Sequence, residues 1–285
     1  MKVALTGASG FVGRHVLKNL ISRRLDTVAS MKDGDHLSID KGEVEVVELD
    51  ITRPGVNPYD RLGKPDLLIH LAWDGLPNYK SLRHFEKELP SQYFFLKRMI
   101  EKGLKRLIIT GTCFEYGMQS GALSETAEPR PITPYGYAKN ALREQLEFLQ
   151  TKIPFELTWG RLFYLHGAGQ SETSLFSQLQ ASVSRKESTF NMSGGEQLRD
   201  YLSISEAAAT IVDLAVLERD VGIVNICSGN PISVRRLVEQ WILKNDWSIQ
   251  LNLGYYPYPD YEPMAFWGDR GRLNSLLNVE GSPSE

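Results

Sequence analysis

The chain has 285 residues, 42% of them hydrophobic and 24% charged, proportions that argue against a disordered, fibrous or membrane-embedded chain and allow one large α/β domain or two joined lobes. Its 32 Lys and Arg against 35 Asp and Glu give a formal charge of −3, and with no Lys/Arg block neither nucleic acid nor an anionic membrane is an expected partner. Two cysteines, Cys113 and Cys227, are too few for a disulfide framework and point to a reduced, cytoplasmic setting. The opening Met1-Lys2-Val3-Ala4-Leu5-Thr6-Gly7 leaves no room for a signal-peptide apolar region, and no uncharged apolar run is long enough to cross a bilayer.

Short β-branched runs alternate with longer amphipathic stretches, which predicts βαβ units and a parallel sheet. Residues 2–5 read as a strand, and 10–23, with apolar Phe11, Val12, Val16, Leu17, Leu20 and Ile21, as a helix. Strands are expected at 27–30, 44–49 and 67–71, the last apolar throughout, as in a strand covered on both faces. A helix is expected over 82–102, a strand over 107–110 and a helix over 136–150. Beyond Arg161 the alternation weakens. There the sequence suggests a loop at 167–170, a helix at 171–185, a turn at 193–196, an apolar helix at 205–217, a strand at 223–226 and a helix from Ser233. The tract 255–261 reads as an aromatic loop, because its prolines lack the donor that a central strand needs, and 281–284 reads as a frayed tail. The whole predicts a doubly wound α/β sheet.

Two motifs carry chemistry. Gly7, Gly10 and Gly13 fall at a strand-to-helix turn. There the first suits a tight turn, the second lets backbone approach a pyrophosphate, and the third lets helix and strand pack closely, while the helix N-terminus offers N–H groups to phosphate. Tyr135 and Lys139 form a Tyr-x-x-x-Lys pair on a predicted helix; positions i and i+4 share a face, so the ammonium is expected beside the phenol, lowering its pKa. Tyr93 and Lys97 repeat that spacing in mid-helix, before the fifth strand, and read as a surface pair. Thr112 is expected just beyond the carboxyl end of the fifth strand, where open parallel sheets bind ligands, and its hydroxyl can share a substrate oxygen with Tyr135. No metal site is expected.

The Gly-x-x-Gly-x-x-Gly spacing, the Tyr-x-x-x-Lys helix and Thr112 placed four residues before Tyr116-Gly117 resemble the extended branch of the short-chain dehydrogenase/reductase superfamily, the nucleotide-sugar epimerases, dehydratases and reductases. The likeness continues through Asp50-Ile51, His70-Leu71-Ala72, the segments beginning at Arg161 and Arg199, and Ile226-Cys227-Ser228-Gly229. It implies a Rossmann-type dinucleotide-binding domain of residues 1–165 and about 197–227, with a smaller C-terminal substrate-binding lobe of about 166–196 and 228–285. It also implies a nicotinamide cofactor, a nucleotide-diphosphate sugar substrate and a homodimer.

By the same resemblance Thr112, Tyr135 and Lys139 are catalytic. Tyr135 exchanges the hydroxyl proton, Thr112 polarises the carbonyl, and Lys139 holds the cofactor ribose and tunes Tyr135. Cofactor contacts fall on Gly7, Gly10, Phe11, Val12, Gly13, Arg14, Ser30, Lys32, Asp50, Ile51, Leu71, Ala72 and Thr110, together with Tyr135 and Lys139. Substrate contacts fall on Trp73, Thr112, Cys113, Phe114, Tyr164, Arg199 and Arg270, with Arg272 as an alternative and Arg199 forking the diphosphate. Family dehydratases carry Asp-Glu where this chain has Cys113 and Phe114, which argues against water elimination. The second strand ends Ser30-Met31-Lys32 without the carboxylate that holds the ribose of NAD, so NADP(H) is expected, although Asp33 or Asp35 would reach a ribose if the loop is shifted and NAD(H) stays open. The expected reaction is NADPH-dependent reduction of a nucleotide-linked 4-keto-6-deoxyhexose for deoxysugar and surface-polysaccharide synthesis; the alternative is an NAD-dependent 4-epimerase. A catalytically silent NADP-binding regulator is disfavoured because all three catalytic residues are present.

Overall fold

The computed structural model describes residues 1–32, 34, 44–53 and 57–278. Asp33, Asp35 and the tail 281–284 lie outside these. Seven parallel strands form the main sheet in the order β11-β7-β5-β4-β1-β2-β3. They are β1 (Lys2–Thr6), β2 (Asp26–Met31), β3 (Glu45–Glu48), β4 (Leu67–His70), β5 (Arg106–Thr112), β7 (Glu156–Leu162) and β11 (Gly222–Ile226). The chain winds outward in both directions from β1, so the strand order reverses between β1 and β4. That switch point opens a crevice at the strands' carboxyl ends.

Helices cover both faces because the central strands are apolar on both. On one face α1 (Phe11–Ser22) and α6 (Ile204–Ala215) bury Val16, Leu17, Leu20, Ala207 and Ile211 against Val3, Leu5 and Ile69. The opposite face holds α2 (Pro58–Arg61), α3 (Leu89–Glu101) and α4 (Pro134–Gln150), whose Phe95, Leu96, Met99, Leu142 and Leu146 pack on Ala4, Leu68, Leu107 and Trp159. Side-chain caps fix where helices begin. Thr133 accepts from Gly136 N–H with Pro134 in the first turn of α4, and Ser203 accepts from Glu206 N–H to start α6, caps worth about 1 kcal/mol each.

The predicted helix over 82–102 opens differently. Residues His84–Glu88 make one wide π turn before α3, because Pro90 has no N–H to close a regular turn on Glu86. Thr112 is the last residue of β5 rather than a residue beyond it. The predicted helix at 171–185 starts later, as α5 (Leu175–Ser184), where Ser174 accepts from Ser177 N–H.

Outside the main sheet, β8 (Tyr164–His166), β10 (Leu198–Ser203) and β12 (Pro231–Ser233) form a three-stranded sheet, while β9 (Thr189–Asn191) pairs with β13 (Gln250–Asn252) and β6 (Gly121–Leu123) with β14 (Phe266–Gly268). Between them, α5 and α7 (Val234–Lys244) enclose a separate core of Leu179, Phe190, Val238 and Trp241, and α8 (Gly271–Leu277) ends the described chain. The tract 255–261 is irregular, as expected. Among the described residues no helix is long and apolar enough to cross a membrane.

Candidate active site

A cleft of about 260 Å³ lies at the switch point, lined by Gly7, Ser9, Gly10, Ser30, Met31, Lys32, Leu49, Ile51, Leu71, Ala72, Trp73 and Asp74. The backbone around it is built for close approach. A Cβ on Gly7, whose φ is +74°, would sit 2.7 Å from Ala72 N, and one on Gly13 would sit 1.9 Å from Gly7 O, so loop, helix and β4 pack at distances that only glycine permits. The first turn of α1 carries no acidic residue and its N-cap, Gly10, has no capping side chain. Its N–H groups therefore face an uncrowded space that suits a dinucleotide pyrophosphate.

The other expected cofactor residues distribute around this cleft. Ser30 is buried at the end of β2, while Phe11 stands edge-on to His15 at 6.0 Å and Val12 packs toward the core. Arg14 turns back on its own loop, donating to Gly10 O at 3.3 Å and Ser9 O at 3.2 Å. Asp50 accepts from the Thr52 N–H at 2.9 Å and hydroxyl at 2.7 Å, which holds its carboxyl below the usual range. Lys32 is ion-paired with Asp74, which also meets Arg83 at 3.3 Å.

Thr112, Tyr135 and Lys139 converge beside the cleft. Thr112 caps a turn formed by Cys113–Tyr116, its Oγ1 accepting from Phe114 N–H at 3.3 Å. Tyr135 sits in the first turn of α4 with its N–H on Tyr79 O at 3.2 Å. Lys139 donates to the carbonyl of Thr110 at 2.9 Å, and its ammonium lies 4.0 Å from the centre of the Trp73 ring.

The expected depression of the Tyr135 phenol by Lys139 is not what the fold produces. Burial pushes the phenol well up, and Tyr79, Glu115 and Cys113 reinforce it against a lowering hydrogen bond from Thr112. Burial likewise draws Lys139 down to about 7, against the raising pull of Glu115 and Glu88. In this structure the lysine's charge is disfavoured by burial and its ammonium donates to the Thr110 carbonyl.

The expected substrate residues separate into two groups. Trp73, Cys113, Phe114 and Tyr164 surround the catalytic pair: the Trp73 ring is 6.0 Å from Tyr135, edge-on, and Phe114 touches both Tyr135 and Tyr164. Burial pushes the Cys113 thiol up, which fits pocket lining and not nucleophilic chemistry. Arg199 and Arg270 are already engaged. Arg199 bonds Glu262 through Nε at 3.1 Å and Nη2 at 2.8 Å and packs on Phe266, while Arg270 donates to the Cys227 carbonyl and Asn274. Arg272 donates to Val221 O at 2.7 Å.

The sequence pattern of the NAD dependent epimerase/dehydratase family matches residues 3–227. The chain belongs to this family. It is an oxidoreductase-type enzyme that uses a nicotinamide cofactor. A dTDP-6-deoxy-L-talose 4-dehydrogenase (NAD(+)) of Aggregatibacter actinomycetemcomitans is 29% identical over 94% of this chain and 99% of its own. A GDP-6-deoxy-D-talose 4-dehydrogenase of the same organism is 24% identical over 99% and 92%. Among solved structures, MoeE5 in complex with UDP-glucuronic acid and NAD superposes with a TM-score of 0.82 at 26% identity, covering 100% of this chain and 95% of that one.

Within this epimerase/dehydratase enzyme, sequence reasoning missed the groups that hold the site from behind. Glu115, fully buried, accepts from Thr112 N–H at 2.9 Å, Trp159 Nε1 at 3.0 Å and Arg161 Nε at 2.7 Å. His84 accepts the Trp73 indole N–H at 3.1 Å and donates to Asn78 O at 2.8 Å, fixing the indole beside Tyr135. Asp74 shares the cleft rim with Lys32. A Glu between aromatic residues, Phe114 and Tyr116, was the one sequence signal available for Glu115.

Behind the glycine loop, buried His70 bonds Thr6 Oγ1 at 2.7 Å and Gln92 Oε1 at 2.5 Å. Gln92 accepts through its carbonyl, so His70 Nε2 carries the proton and Nδ1 receives that of Thr6. Burial draws this imidazole down to about 3, so it stays neutral in the fold where an unfolded histidine takes a proton below about 6.5. The sign follows: stability is full above pH 6.5 and is lost progressively as pH falls toward 3. Thermal melts of the apo-enzyme across that window are expected to show the loss, and His70→Asn is expected to flatten that part of the slope. An unchanged slope would remove His70 from the acid response.

Proposed function

We propose that this enzyme moves hydride between a nicotinamide cofactor and C4 of a nucleotide-linked 6-deoxyhexose, working as a 4-ketoreductase with NADP(H). The observation that carries the reading is the convergence of Thr112, Tyr135 and Lys139 beside the glycine cleft, with Cys113 and Phe114 where an elimination needs an acid and a base. The names of the two 6-deoxytalose 4-dehydrogenases support the choice of C4 and of a 6-deoxyhexose.

When bound, the nicotinamide supplies or accepts the hydride. The protein's own groups manage the oxygen. Thr112 Oγ1 accepts from Phe114 N–H and hydrogen-bonds the Tyr135 phenol, so Thr112 and Tyr135 together present donors to the C4 oxygen when the substrate enters between them. Tyr135, kept protonated by burial, is the proton donor for reduction. Lys139, which donates to Thr110 O in this structure, would hold the cofactor ribose, and Trp73, held by His84, would exclude water from the reacting face.

The main sheet's domain, 1–165 and about 197–227, binds the dinucleotide in this reading, and the lobe of about 166–196 and 228–285 binds the nucleotide sugar. Arg199 reaches a diphosphate by exchanging Glu262 for it. Phe94 and Phe148, 60% and 74% exposed on α3 and α4, support a homodimer through those helices. The buried free thiols Cys113 and Cys227 support a cytoplasmic setting.

Purified protein is to be mixed with NADPH or NADH and a panel of nucleotide-linked 4-keto-6-deoxyhexoses while reduced-nicotinamide absorbance is followed. Stoichiometric oxidation is expected; no oxidation, with NAD released on denaturing the protein, would turn the assignment to the 4-epimerase.

NADP(H) is favoured by Ser30 and Lys32 in the cleft and by the lack of a carboxylate at the end of β2. A second reading, NAD(H), has its own support in Asp74, whose carboxylate shares the rim and pairs with Lys32. Lys32→Ala separates them. It is expected to raise KM for NADPH roughly 10- to 100-fold, the worth of a charged hydrogen bond, with little effect on NADH. Equal effects on both cofactors would select NAD(H).

A further inference from the structure

Three rings form a wall over the catalytic pair. Tyr79 comes from the loop after β4, Phe114 from the turn after β5, and Tyr261 from the irregular tract before β14. Tyr79 and Phe114 lie 4.6 Å apart, Tyr79 and Tyr261 6.2 Å, and Phe114 and Tyr261 6.1 Å, while Tyr79 and Phe114 stand 5.7 and 6.3 Å from the Tyr135 ring. Phe114 is the centre of this wall. Its own N–H binds Thr112 Oγ1, so its ring is tied to the hydroxyl that meets the substrate oxygen.

A different flank of the same site is polar. The hydroxyl of Tyr164 is buried against the Glu262–Arg199 pair without a well-formed hydrogen bond, and its ring lies 6.5 Å from Phe114. An incompletely satisfied hydroxyl beside a charged pair gains when a ligand hydroxyl completes its hydrogen bonding. The two neighbours of C4 on a hexose differ in the same way: C3 bears a hydroxyl, and C5 bears C6.

We propose that Phe114, with Tyr79 and Tyr261, reads the C6 position and selects a methyl group over a hydroxymethyl or carboxylate, while Tyr164 takes a ring hydroxyl. The inference rests on the 4-oxidoreductase reading and deepens it. Its physical basis is desolvation: a C6 hydroxyl pressed against the Phe114 ring, which has neither donor nor acceptor, loses its water without gaining a partner from that ring. An apolar pocket rejects an added hydroxyl by at most roughly 100-fold, which sets the scale.

The test runs the reaction in the oxidative direction. The probes are dTDP- and GDP-linked 6-deoxyhexoses, each beside the same nucleotide bearing the 6-hydroxy hexose of matching configuration. The wild type is expected to favour the 6-deoxy sugar in kcat/KM by roughly 10- to 100-fold. Phe114→Ser is expected to shrink that ratio mainly by gaining on the 6-hydroxy sugar, whereas Phe114→Leu keeps most of it. Tyr261→Ala, at the half-buried rim, is expected to move the ratio less but in the same direction. Equal wild-type values for the two sugars, or a Phe114→Ser variant that loses on both alike, would overturn the inference and leave the 4-oxidoreductase intact. Failure to oxidise any sugar at C4 would overturn both.

Discussion

Tyr135→Phe is expected to lower the rate of hydride transfer roughly 100- to 10,000-fold, the range supplied by a positioned acid or base, while leaving the fold and cofactor binding close to wild type. Only one oxygen is removed. The ring keeps its neighbours Trp73, Tyr79, His84 and Phe114, at centroid distances of 5.2 to 6.3 Å, so packing is unchanged. Circular dichroism and quenching of tryptophan fluorescence by the cofactor check those two points, and stopped-flow transfer checks the first. The buried phenol adds a pH signature. Because burial holds Tyr135 protonated, the wild-type reduction is expected to be flat through neutral pH, whereas oxidation of the alcohol, which needs the phenolate, is expected to rise with pH. Retention of more than about a tenth of the rate in the variant would move the proton donor elsewhere, since general acid–base contributions seldom fall that low.

The second large effect is structural. Glu115→Ala is expected to destabilise the protein by about 3 to 5 kcal/mol, the cost of breaking a buried ion pair by removing one member. Three donors lose their acceptor together: Arg161 Nε, Trp159 Nε1 and Thr112 N–H. Both members are fully buried, and Arg161 Nη1 and Nη2 have no partner even in the intact pair, their guanidinium packing 4.5 Å over Tyr116. A Cβ on Gly111 would sit 2.4 Å from the Glu115 carboxylate and 2.2 Å from the Trp159 indole nitrogen, so the site has no slack for rearrangement. Removing the stranded charge as well, by adding Arg161→Leu, is expected to restore part of the loss. Denaturant titration of the two single variants and the double variant measures it. A Glu115→Ala loss below about 1 kcal/mol would show that the pair is not what holds Thr112, because a broken buried pair costs several times that.

The parts of this fold that could be read from sequence are those where one physical rule acts alone. The glycine triplet could be read because turn, approach and packing each demand a missing Cβ, and the structure shows contacts of 2.7 and 1.9 Å that no side chain tolerates at Gly7 and Gly13. The apolar run ending at His70 could be read because a strand covered on both faces has no polar alternation. Tyr135 and Lys139 came from helical spacing. What the lysine does in the free protein did not, since its hydrogen bond to Thr110 O and its place over Trp73 depend on where β5 and the loop after β4 meet.

The rest was hidden for related reasons. Strands of three residues, such as β6, β8, β12 and β14, are too short to show a period. The π turn at His84–Glu88 answers to Pro90, whose effect on the preceding turn is a matter of one missing donor. Glu115 and His84 lie three residues and a loop away from the side chains they fix, and a lone buried acid in a sequence looks like a surface one until Arg161 is placed against it. The pairing of Arg199 with Glu262 was hidden because the two lie 63 residues apart.

The central claim is that exchangeable NADPH delivers hydride to C4 of a nucleotide-linked 4-keto-6-deoxyhexose with net reduction. It is tested most directly by supplying NADPH deuterated at the transferring position, with the 4-keto sugar that the absorbance panel selects, and locating the label by proton NMR and mass spectrometry. One deuterium per NADP⁺ formed is expected, bonded to C4 of the product sugar, and its transfer is expected to be slowed roughly 100- to 10,000-fold in Tyr135→Phe. Inversion at C4 of an alcohol substrate with no net cofactor oxidation and no deuterium in the sugar would contradict it, and would make the enzyme a 4-epimerase that returns its own hydride.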